Sequence, residues 1–351
     1  MGDGNTYYTL DAQAEGLLAR HLDWWRRKGS LYAEVSAGPL GDLWLPLVDG
    51  TDAQVDMDLH PELLDVERAV GPQQPPGPLG TNGDLFLTAA PYGRVPWVEA
   101  ILGTPIRATI KGGSMRTKAF IDNWAVWQER DTHRDKEWFE LLERLTETLV
   151  ARVNGRSAPV HTLQRGPCDL VEAVVGPELM SFSLYDHPDE LRAFLDEATP
   201  TFVDTLMAQL ERIPRLRGGY VNPFGIWAPG TVVRTQCDAT AFLSAAQYRD
   251  WFLPYDIAIC EQFDYTMIHL HSCSLHTVPV LLAQEHPHGI QVTLESEPSG
   301  PPLEEMLPVF AEVLQVKPLL VDGPLTDDEL QRVWDELPAH GLAVRRRLQP
   351  W

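Results

Sequence analysis

Short apolar runs of strand length alternate with longer amphipathic stretches along most of this chain. The runs with a strand pattern are 84–89, 160–164, 219–222, 233–238, 267–273, 289–295, 318–321 and 342–346. The stretches with helical spacing between them include 136–153, 188–212, 245–262 and 303–314. Strands that alternate with helices predict right-handed βαβ units and a parallel sheet. Eight such strands predict an α/β fold of the (β/α)8 TIM-barrel class, with 31–35 competing for a place in the barrel.

The N-terminal part of the chain has a different pattern. Residues 10–29 and 61–70 have helical spacing, and a Pro/Gly-rich stretch over 71–83 follows them. Such a stretch interrupts regular structure. We therefore predict an N-terminal helical segment over 1–80 that packs on a barrel over 81–351.

Composition narrows the class of protein. The chain has 351 residues, 44% of them hydrophobic, and a net charge of −22. This charge argues against nucleic acid as a partner, because nucleic-acid binding relies on basic patches. Four cysteines in so long a chain do not form a disulfide framework. The sequence has no apolar run of membrane-spanning length and no signal-peptide pattern, so we expect a soluble, cytoplasmic protein that does not bind membranes. The oligomeric state stays open.

The most informative chemistry lies between residues 265 and 295. His269, His271 and Cys273 occupy alternate positions along a predicted strand, so their side chains point to one face. Glu295 follows the cysteine by 22 residues and ends the next predicted strand, on a face shared with Gln291. Two adjacent parallel strands would bring His271, Cys273 and Glu295 together. These are zinc ligand types, and three of them leave a fourth position open for chemistry. The alternative is a buried histidine and an inert thiol.

A second polar face lies on the predicted strand 233–238. Arg234, Gln236 and Asp238 alternate there with Val233, Thr235 and Cys237. A polar face inside a barrel is costly unless it contacts partners, substrate or water. We predict Asp238 and Arg234 as catalytic residues, and Gln236, His269 and Asn222 as substrate-binding residues. The alternative is a structural layer in which Arg234 neutralises Asp238.

Several short motifs give the chain a family resemblance over roughly residues 90–345. They are 95–103 (VPWVEAILG), 166–169 (GPCD) with Gly176, 184–188 (LYDHP), 226–230 (IWAPG), 237–238 (CD), 243–244 (LS) with Tyr248, 252–254 (FLP) and 271–273 (HSC). In this order and spacing the chain resembles the uroporphyrinogen decarboxylase superfamily, which includes corrinoid-linked methyltransferases that act on thiols. The resemblance implies a (β/α)8 barrel with a deep central cleft.

The motifs point to one branch of that superfamily more than to another. The decarboxylases hold their tetrapyrrole with an N-terminal arginine motif, which the sequence 26–29 (RRKG) does not reproduce. The thiol methyltransferases carry His-x-Cys, as at His271 and Cys273, plus a late cysteine that is absent here. Cobalamin-independent methionine synthase, a structural relative, is similar in placing a glutamate where Glu295 stands. Asp238 matches the acidic position of the family.

The resemblance therefore predicts a zinc-dependent methyltransferase that moves a methyl group from a corrinoid or a small donor to a thiol. A corrinoid would arrive on a partner protein, because 1–80 lacks the alternating pattern of a corrinoid domain. Trp97 and Trp227 are candidates for lining the substrate cleft, although tryptophans also serve as packing anchors. The alternatives are a metal-independent, decarboxylase-like lyase that uses Asp238 and Arg234 on a carboxylated substrate, and a non-catalytic barrel that binds a small molecule.

Overall fold

The computed structural model describes residues 7–36, 41–117, 119–130, 134–295 and 300–348. Within them the strands are, in chain order, β1 Leu31–Val35, β2 Met57–Leu59, β3 Thr81–Asn82, β4 Leu85–Phe86, β5 Thr88–Ala89, β6 Ile106–Thr109, β7 Ser114–Thr117, β8 Ala158–Pro159, β9 Tyr220–Val221, β10 Trp227–Ala228, β11 Val232–Gln236, β12 Tyr265–His271, β13 Gly289–Thr293, β14 Leu319–Pro324 and β15 Leu342–Arg347.

The helices of the same residues are α1 Ala12–Trp25, α2 Val66–Val70, α3 Trp97–Ile101, α4 Trp124–Gln128, α5 Lys136–Val153, α6 Pro167–Asp186, α7 Pro188–Arg212, α8 Ala245–Trp251, α9 Leu253–Cys260, α10 Val278–Leu282, α11 Leu303–Val316 and α12 Asp327–Glu336. Short 3₁₀ helices cover Pro61–Leu63, Asp238–Phe242 and Ser272–Thr277. Across the described residues, no helix combines the length and apolar character needed to cross a membrane.

The fold is a mixed α/β arrangement around a parallel sheet, as predicted. Six parallel strands lie in the order β1-β15-β14-β13-β12-β11. A second parallel pair joins β5 to β8. The other strands form small antiparallel sheets, β2-β6-β7, β3-β4 and β9-β10. Helices follow most of the parallel strands, so the carboxyl ends of β11 to β15 meet at one edge of the sheet.

The structure corrects one choice among the predicted strands. Residues 31–35 form β1, which pairs with β15 at the end of the six-stranded sheet, and Leu31 and Ala33 are buried. Residues 219–222 instead contribute β9 to the antiparallel pair with β10. The turn backbone packs so closely there that a Cβ on Gly219 would lie 1.9 Å from the carbonyl oxygen of Ala228. The N-terminal segment is therefore not helical alone, since it supplies a strand to the main sheet.

The amphipathic stretches fold as helices where spacing predicted them. Helices α5 and α7 have the predicted bounds. Helix α5 is capped at its N-terminus by Asp135, whose side chain accepts hydrogen bonds from two backbone N–H groups of the first turn, and at its C-terminus by Asn154 in the left-handed conformation. The predicted stretch 245–262 divides into α8 and α9, and Pro254 lies in the first turn of α9, where its missing N–H costs least.

One buried histidine attaches the N-terminal helix to the rest of the fold. The Nδ1 atom of His21 accepts a hydrogen bond from the backbone N–H of Trp227 at 2.8 Å, so Nε2 donates to the carbonyl oxygen of Asp84 at 2.6 Å. Burial lowers the pKa of His21 to about 4, which keeps the ring neutral. Arg20 also forms an ion pair with Asp84. The boundary at residue 80 remains a prediction.

A buried carboxyl group lies between the sheet and the helices that cover it. Asp256 of α9 is fully buried and accepts hydrogen bonds from Thr235 Oγ1 at 2.7 Å and from the Tyr248 hydroxyl at 2.8 Å. Burial raises the pKa of Asp256 to about 7, although both hydrogen bonds favour the charged form. This pKa exceeds that of an aspartate in the unfolded chain, which is near 4. The contribution of Asp256 to the free energy of unfolding is therefore greatest below pH 4 and is lost as pH rises through 7.

We predict that Asp256→Asn removes this pH dependence. The free energy of unfolding of the variant, relative to the unchanged protein, should rise by about 2–4 kcal/mol between pH 4.5 and pH 8. Urea unfolding at several pH values measures the difference. Asp189→Asn, at an almost fully exposed position on α7, is the matched control and should show no such trend. A parallel pH profile for Asp256→Asn and the unchanged protein would contradict the assignment.

Candidate metal centre

The strand register aligns a layer of polar side chains across three neighbouring parallel strands. Gln236 of β11 pairs with His269 of β12, and His269 pairs with Gln291 of β13. One pleat further along, His271 pairs with Thr293. Because alternate residues of a strand share a face, His269 and His271 point to the same side of the sheet.

Asp238 completes a cluster with the two histidines. It is the first residue of the 3₁₀ helix after β11. Its Oδ1 lies 3.5 Å from Nε2 of His269, and its Oδ2 lies 3.5 Å from Nε2 of His271. One ligand atom from each of the three residues lies within 4.8 Å of the others, the only such group found in the part of the chain that the structure describes.

These separations suit a divalent metal. Zinc binds imidazole nitrogen and carboxylate oxygen at about 2.0–2.2 Å, so two donors on one ion lie roughly 3.3 Å apart. The Oδ1 atom of Asp238 is buried and has no hydrogen-bond partner among the described residues. A buried carboxylate oxygen without a partner is costly, and a metal ion would satisfy it. Asp238, His269 and His271 therefore form a possible metal site.

Each histidine is held through its other ring nitrogen. The Nδ1 of His269 contacts Oε1 of Gln291, whose amide nitrogen donates to Thr293 at 3.0 Å. The Nδ1 of His271 contacts Oε1 of Glu295. Both acceptors require Nδ1 to carry a proton, so Nε2 is in each case the ring atom directed at Asp238 and the one that a metal ion would bind. Partners of this kind are typical of metal-binding histidines.

The carboxylate of Asp238 is held by a relay of two hydrogen bonds that starts on β11. Gln236 donates from Nε2 to Oδ2 of Asp238, and Arg234 donates from Nη1 to Oε1 of Gln236 at 2.5 Å. The relay fixes the orientation of Asp238 and directs Arg234 toward the site. Sequence reasoning placed these three residues on one polar face, and the structure brings them together in one hydrogen-bonded chain.

Proton affinities within the cluster differ sharply. Hydrogen bonds with Asp238 and Glu295 raise the pKa of His271 to about 10 in the metal-free protein. Burial, assisted by the charge of Arg234, lowers the pKa of His269 well below its ordinary value. Burial alone would raise the pKa of Asp238, but its contacts with the two histidines outweigh burial and lower it. A metal ion would therefore compete with a proton on His271 and meet a neutral His269.

The structure places Cys273 and Glu295 differently from His271. The chain leaves the strand after His271 and enters the 3₁₀ helix Ser272–Thr277, so strand alternation does not extend to Cys273. Cys273 is exposed, and its Sγ lies 3.9 Å from Oγ of Ser274. Glu295 contacts His271, and its Oε2 also accepts from the backbone and hydroxyl of Ser272. Its carboxylate thus supports a histidine.

The other residues singled out from the sequence lie nearby or in the core. Trp97 and Trp227 are buried, and their indole nitrogens donate to the carbonyl oxygens of Tyr92 and Leu216, as packing anchors do. Asn222 is fully buried, and its Oδ1 accepts from the backbone N–H groups of Phe224 and Ile226.

Sequence reasoning gave no role to Asp169, which belongs to the cluster's surroundings. Its Oδ1 accepts from the backbone N–H of Ala239 at 2.7 Å, next to Asp238. Burial and repulsion by Asp238 raise the pKa of Asp169 to about 7. The available signal was the position of Asp169 just after Gly166 and Pro167, where a predicted strand gives way to a helix.

Comparison with known proteins bears on the fold. No protein-family model matches the chain, and no curated protein matches it. Among solved structures, the chain is similar to a methyltransferase from Methanosarcina mazei, with a TM-score of 0.50, 16% sequence identity and 75% of each chain covered. At this identity the likeness shows a methyltransferase-like fold.

We predict that each chain binds one Zn²⁺ ion through Asp238, His269 and His271. Asp238→Asn and His269→Ala should each weaken zinc binding by at least about 100-fold, and Glu295→Gln by about 10–100-fold, because it loosens His271. Cys273→Ser is the matched control and should change affinity by less than about twofold, since its thiol is not among the converging donors. Competition with a chromogenic chelator measures each affinity. Loss of zinc in Cys273→Ser, with binding intact in Asp238→Asn, would reverse the assignment.

Proposed function

We propose that this chain is a metal-dependent methyltransferase of the uroporphyrinogen decarboxylase superfamily, with zinc at Asp238, His269 and His271 and a thiol as the methyl acceptor. The observation that carries the proposal is the convergence of these three donors, each histidine being oriented through its Nδ1 atom. The methyltransferase from Methanosarcina mazei with a similar fold adds support. The methyl donor would be a corrinoid on a partner protein or a small methylated compound.

The proposal includes the closure of the sheet. Strands β1, β5, β8 and β11–β15 number eight, and all of their recorded pairings with one another are parallel. We propose that they form one (β/α)8 barrel over 81–351, with β1 supplied by the segment 1–80. The cluster lies at the carboxyl ends of β11 and β12, the end at which barrel enzymes place their chemistry.

The residues of the chain divide the work of the proposed reaction. A bound Zn²⁺ would lower the pKa of the acceptor thiol, so that it reacts as a thiolate. Gln291 and Glu295 keep the histidine Nε2 lone pairs directed at one point. Gln236 keeps Asp238 in position. Since three residues supply the donors, a fourth position is left for the thiol.

A second candidate function has one observation in its favour. Arg234 is buried and does not contact a carboxylate at ion-pair distance within the described residues. A guanidinium in such a position suits a carboxylated substrate, which is what a metal-independent, decarboxylase-like lyase would use. Activity of metal-free protein on carboxylic acids would favour this alternative.

We predict that zinc-loaded protein demethylates methylcobalamin with 2-mercaptoethanol as acceptor, and that the rate falls at least about 100-fold in His271→Ala. The reason is loss of thiolate formation at neutral pH. The change in corrinoid absorbance measures the rate, and Cys273→Ser is the control expected to retain it. Equal rates in zinc-loaded and metal-free protein would rule out the proposed mechanism.

A further inference from the structure

A row of polar side chains continues across the sheet from the metal cluster, at the carboxyl ends of the strands. His271 of β12 pairs with Thr293 of β13, and Thr293 pairs with Asp322 of β14. Asp322 in turn pairs with Arg345 of β15. Residues that pair in a parallel sheet point to the same face, so Arg345 shares the face that carries the cluster. Neighbouring strands lie about 4.8 Å apart, which places the backbone of Asp322 roughly 10 Å from that of His271.

Asp322 pairs with two guanidinium groups, although one carboxylate neutralises only one of them. It is fully buried, and its oxygens accept from Nε and Nη2 of Arg347 at 3.0 and 2.7 Å. This is the paired contact that matches a carboxylate. Nη1 of Arg345 donates to the same two oxygens, at 3.1 Å each. Arg345 forms no ion pair with a second carboxylate of the described residues, so it adds an unbalanced positive charge.

One edge of Arg345 is unused and accessible. Its Nε and Nη2 atoms have no hydrogen-bond partner in the described parts of the chain, and neither atom is buried. The side chain of Arg345 is 26% exposed, whereas that of Asp322 is 0% exposed. Nε and Nη2 form the side of a guanidinium that binds an oxyanion through two parallel hydrogen bonds.

A cavity borders this arginine where the strands run into the loops. Two positions beyond the row that ends at Arg345, on the same face, are three residues that line a cavity of about 540 Å³: Glu295, Pro324 and Arg347. This volume is within the usual range of ligand pockets. Much of the remaining wall is apolar, with side chains that include Leu303, Met306 and Leu325.

Two carboxylates also line the cavity, and each has partners of its own. Glu295 contacts His271 and accepts from the backbone N–H of Ser272. Glu329 accepts from the backbone N–H and the hydroxyl of Thr326, as part of the N-terminal cap of α12. A negative charge is favoured at that end of a helix. Arg345 is therefore left as the group beside the cavity that can receive an anion.

We propose that this cavity binds a small organic acid with an apolar body, whose carboxylate pairs with Nε and Nη2 of Arg345. The apolar body packs against Leu303, Met306 and Leu325. Asp322 holds Arg345 in position through Nη1. The bound acid lies next to Glu295 and outside the metal cluster, so this site does not depend on the proposed function.

The test compares three probes in metal-free protein, where a carboxylate has no zinc to bind. Hexanoate carries both the charge and the apolar body, hexanamide lacks the charge, and acetate lacks most of the body. Hexanoate should bind at least about 10-fold more tightly than either of the others, because only hexanoate uses both the arginine and the apolar wall. Ligand-observed NMR titrations measure the three affinities.

Variants of two arginines on β15 locate the charge. Arg345→Gln should weaken hexanoate by at least about 10-fold and leave hexanamide within about twofold, because it removes the paired N–H edge. Asp322 keeps its contact with Arg347, so thermal unfolding should show a folded protein. Arg346→Gln is the matched control, since Arg346 lies on the opposite face with Glu34 and Asp327, and it should leave all three affinities unchanged.

Two further variants keep the test decisive. Met306→Trp fills the cavity and should weaken hexanoate while leaving acetate unchanged. Arg345→Lys retains the charge without the paired edge, and should bind hexanoate less tightly than the unchanged protein even if Arg345→Gln does not fold.

The site would be overturned by equal affinities for hexanoate and hexanamide, by undiminished hexanoate binding in both Arg345 variants, or by no binding of hexanoate. Binding of hexanoate without methyl transfer would refute the proposed function and leave this site standing. Methyl transfer without binding of hexanoate would do the reverse.

Discussion

The register between β11, β12 and β13 is the constraint on which the candidate site depends. It places Gln236, His269 and Gln291 side by side, and the next pleat carries His271. A shift of one residue would turn both histidines to the opposite face and bring apolar neighbours into the cleft. The register is enforced by those neighbours, because Ile268 and Leu270 are fully buried on the other side of β12. The polar cluster is therefore positioned by apolar packing that it does not contact.

Hydrogen bonding explains how a protein interior tolerates so many polar groups. Arg234, Gln236 and Asp238 form a continuous relay, and the histidines each bond to a neighbour on β13 or the segment after it. Two atoms of these residues are nevertheless left without a hydrogen-bond partner among the described residues. These atoms, Oδ1 of Asp238 and Nε of Arg234, are both buried and belong to residues joined through Gln236. Unsatisfied groups are costly to stability, and their concentration in one place is typical of a binding site.

Sequence patterns predicted the secondary structure better than they predicted which side chains converge at the candidate metal site, for a physical reason. Alternation and helical spacing are local, so α5, α7 and the strands β11–β15 could be read from the chain. Alternation gave the correct face for His269 and His271 but was extended too far to Cys273, because the turn into a 3₁₀ helix depends on packing beyond the strand. Pairing between distant segments is not local either. That is why the sequence does not decide whether 31–35 joins the sheet, and why it does not bring Asp238 next to the two histidines.

The donor set also bears on the proposed chemistry. Two neutral imidazoles and one carboxylate bring a single negative charge to Zn²⁺, so the site would keep a net positive charge. A thiolate ligand such as Cys273 would donate more electron density and cancel more of that charge. A more positive site lowers the pKa of an incoming thiol further, which favours thiolate formation on the substrate. The position of Cys273 outside the cluster is thus compatible with thiol activation. It also leaves Cys273 as an exposed free thiol, outside the group of donors proposed to hold the ion.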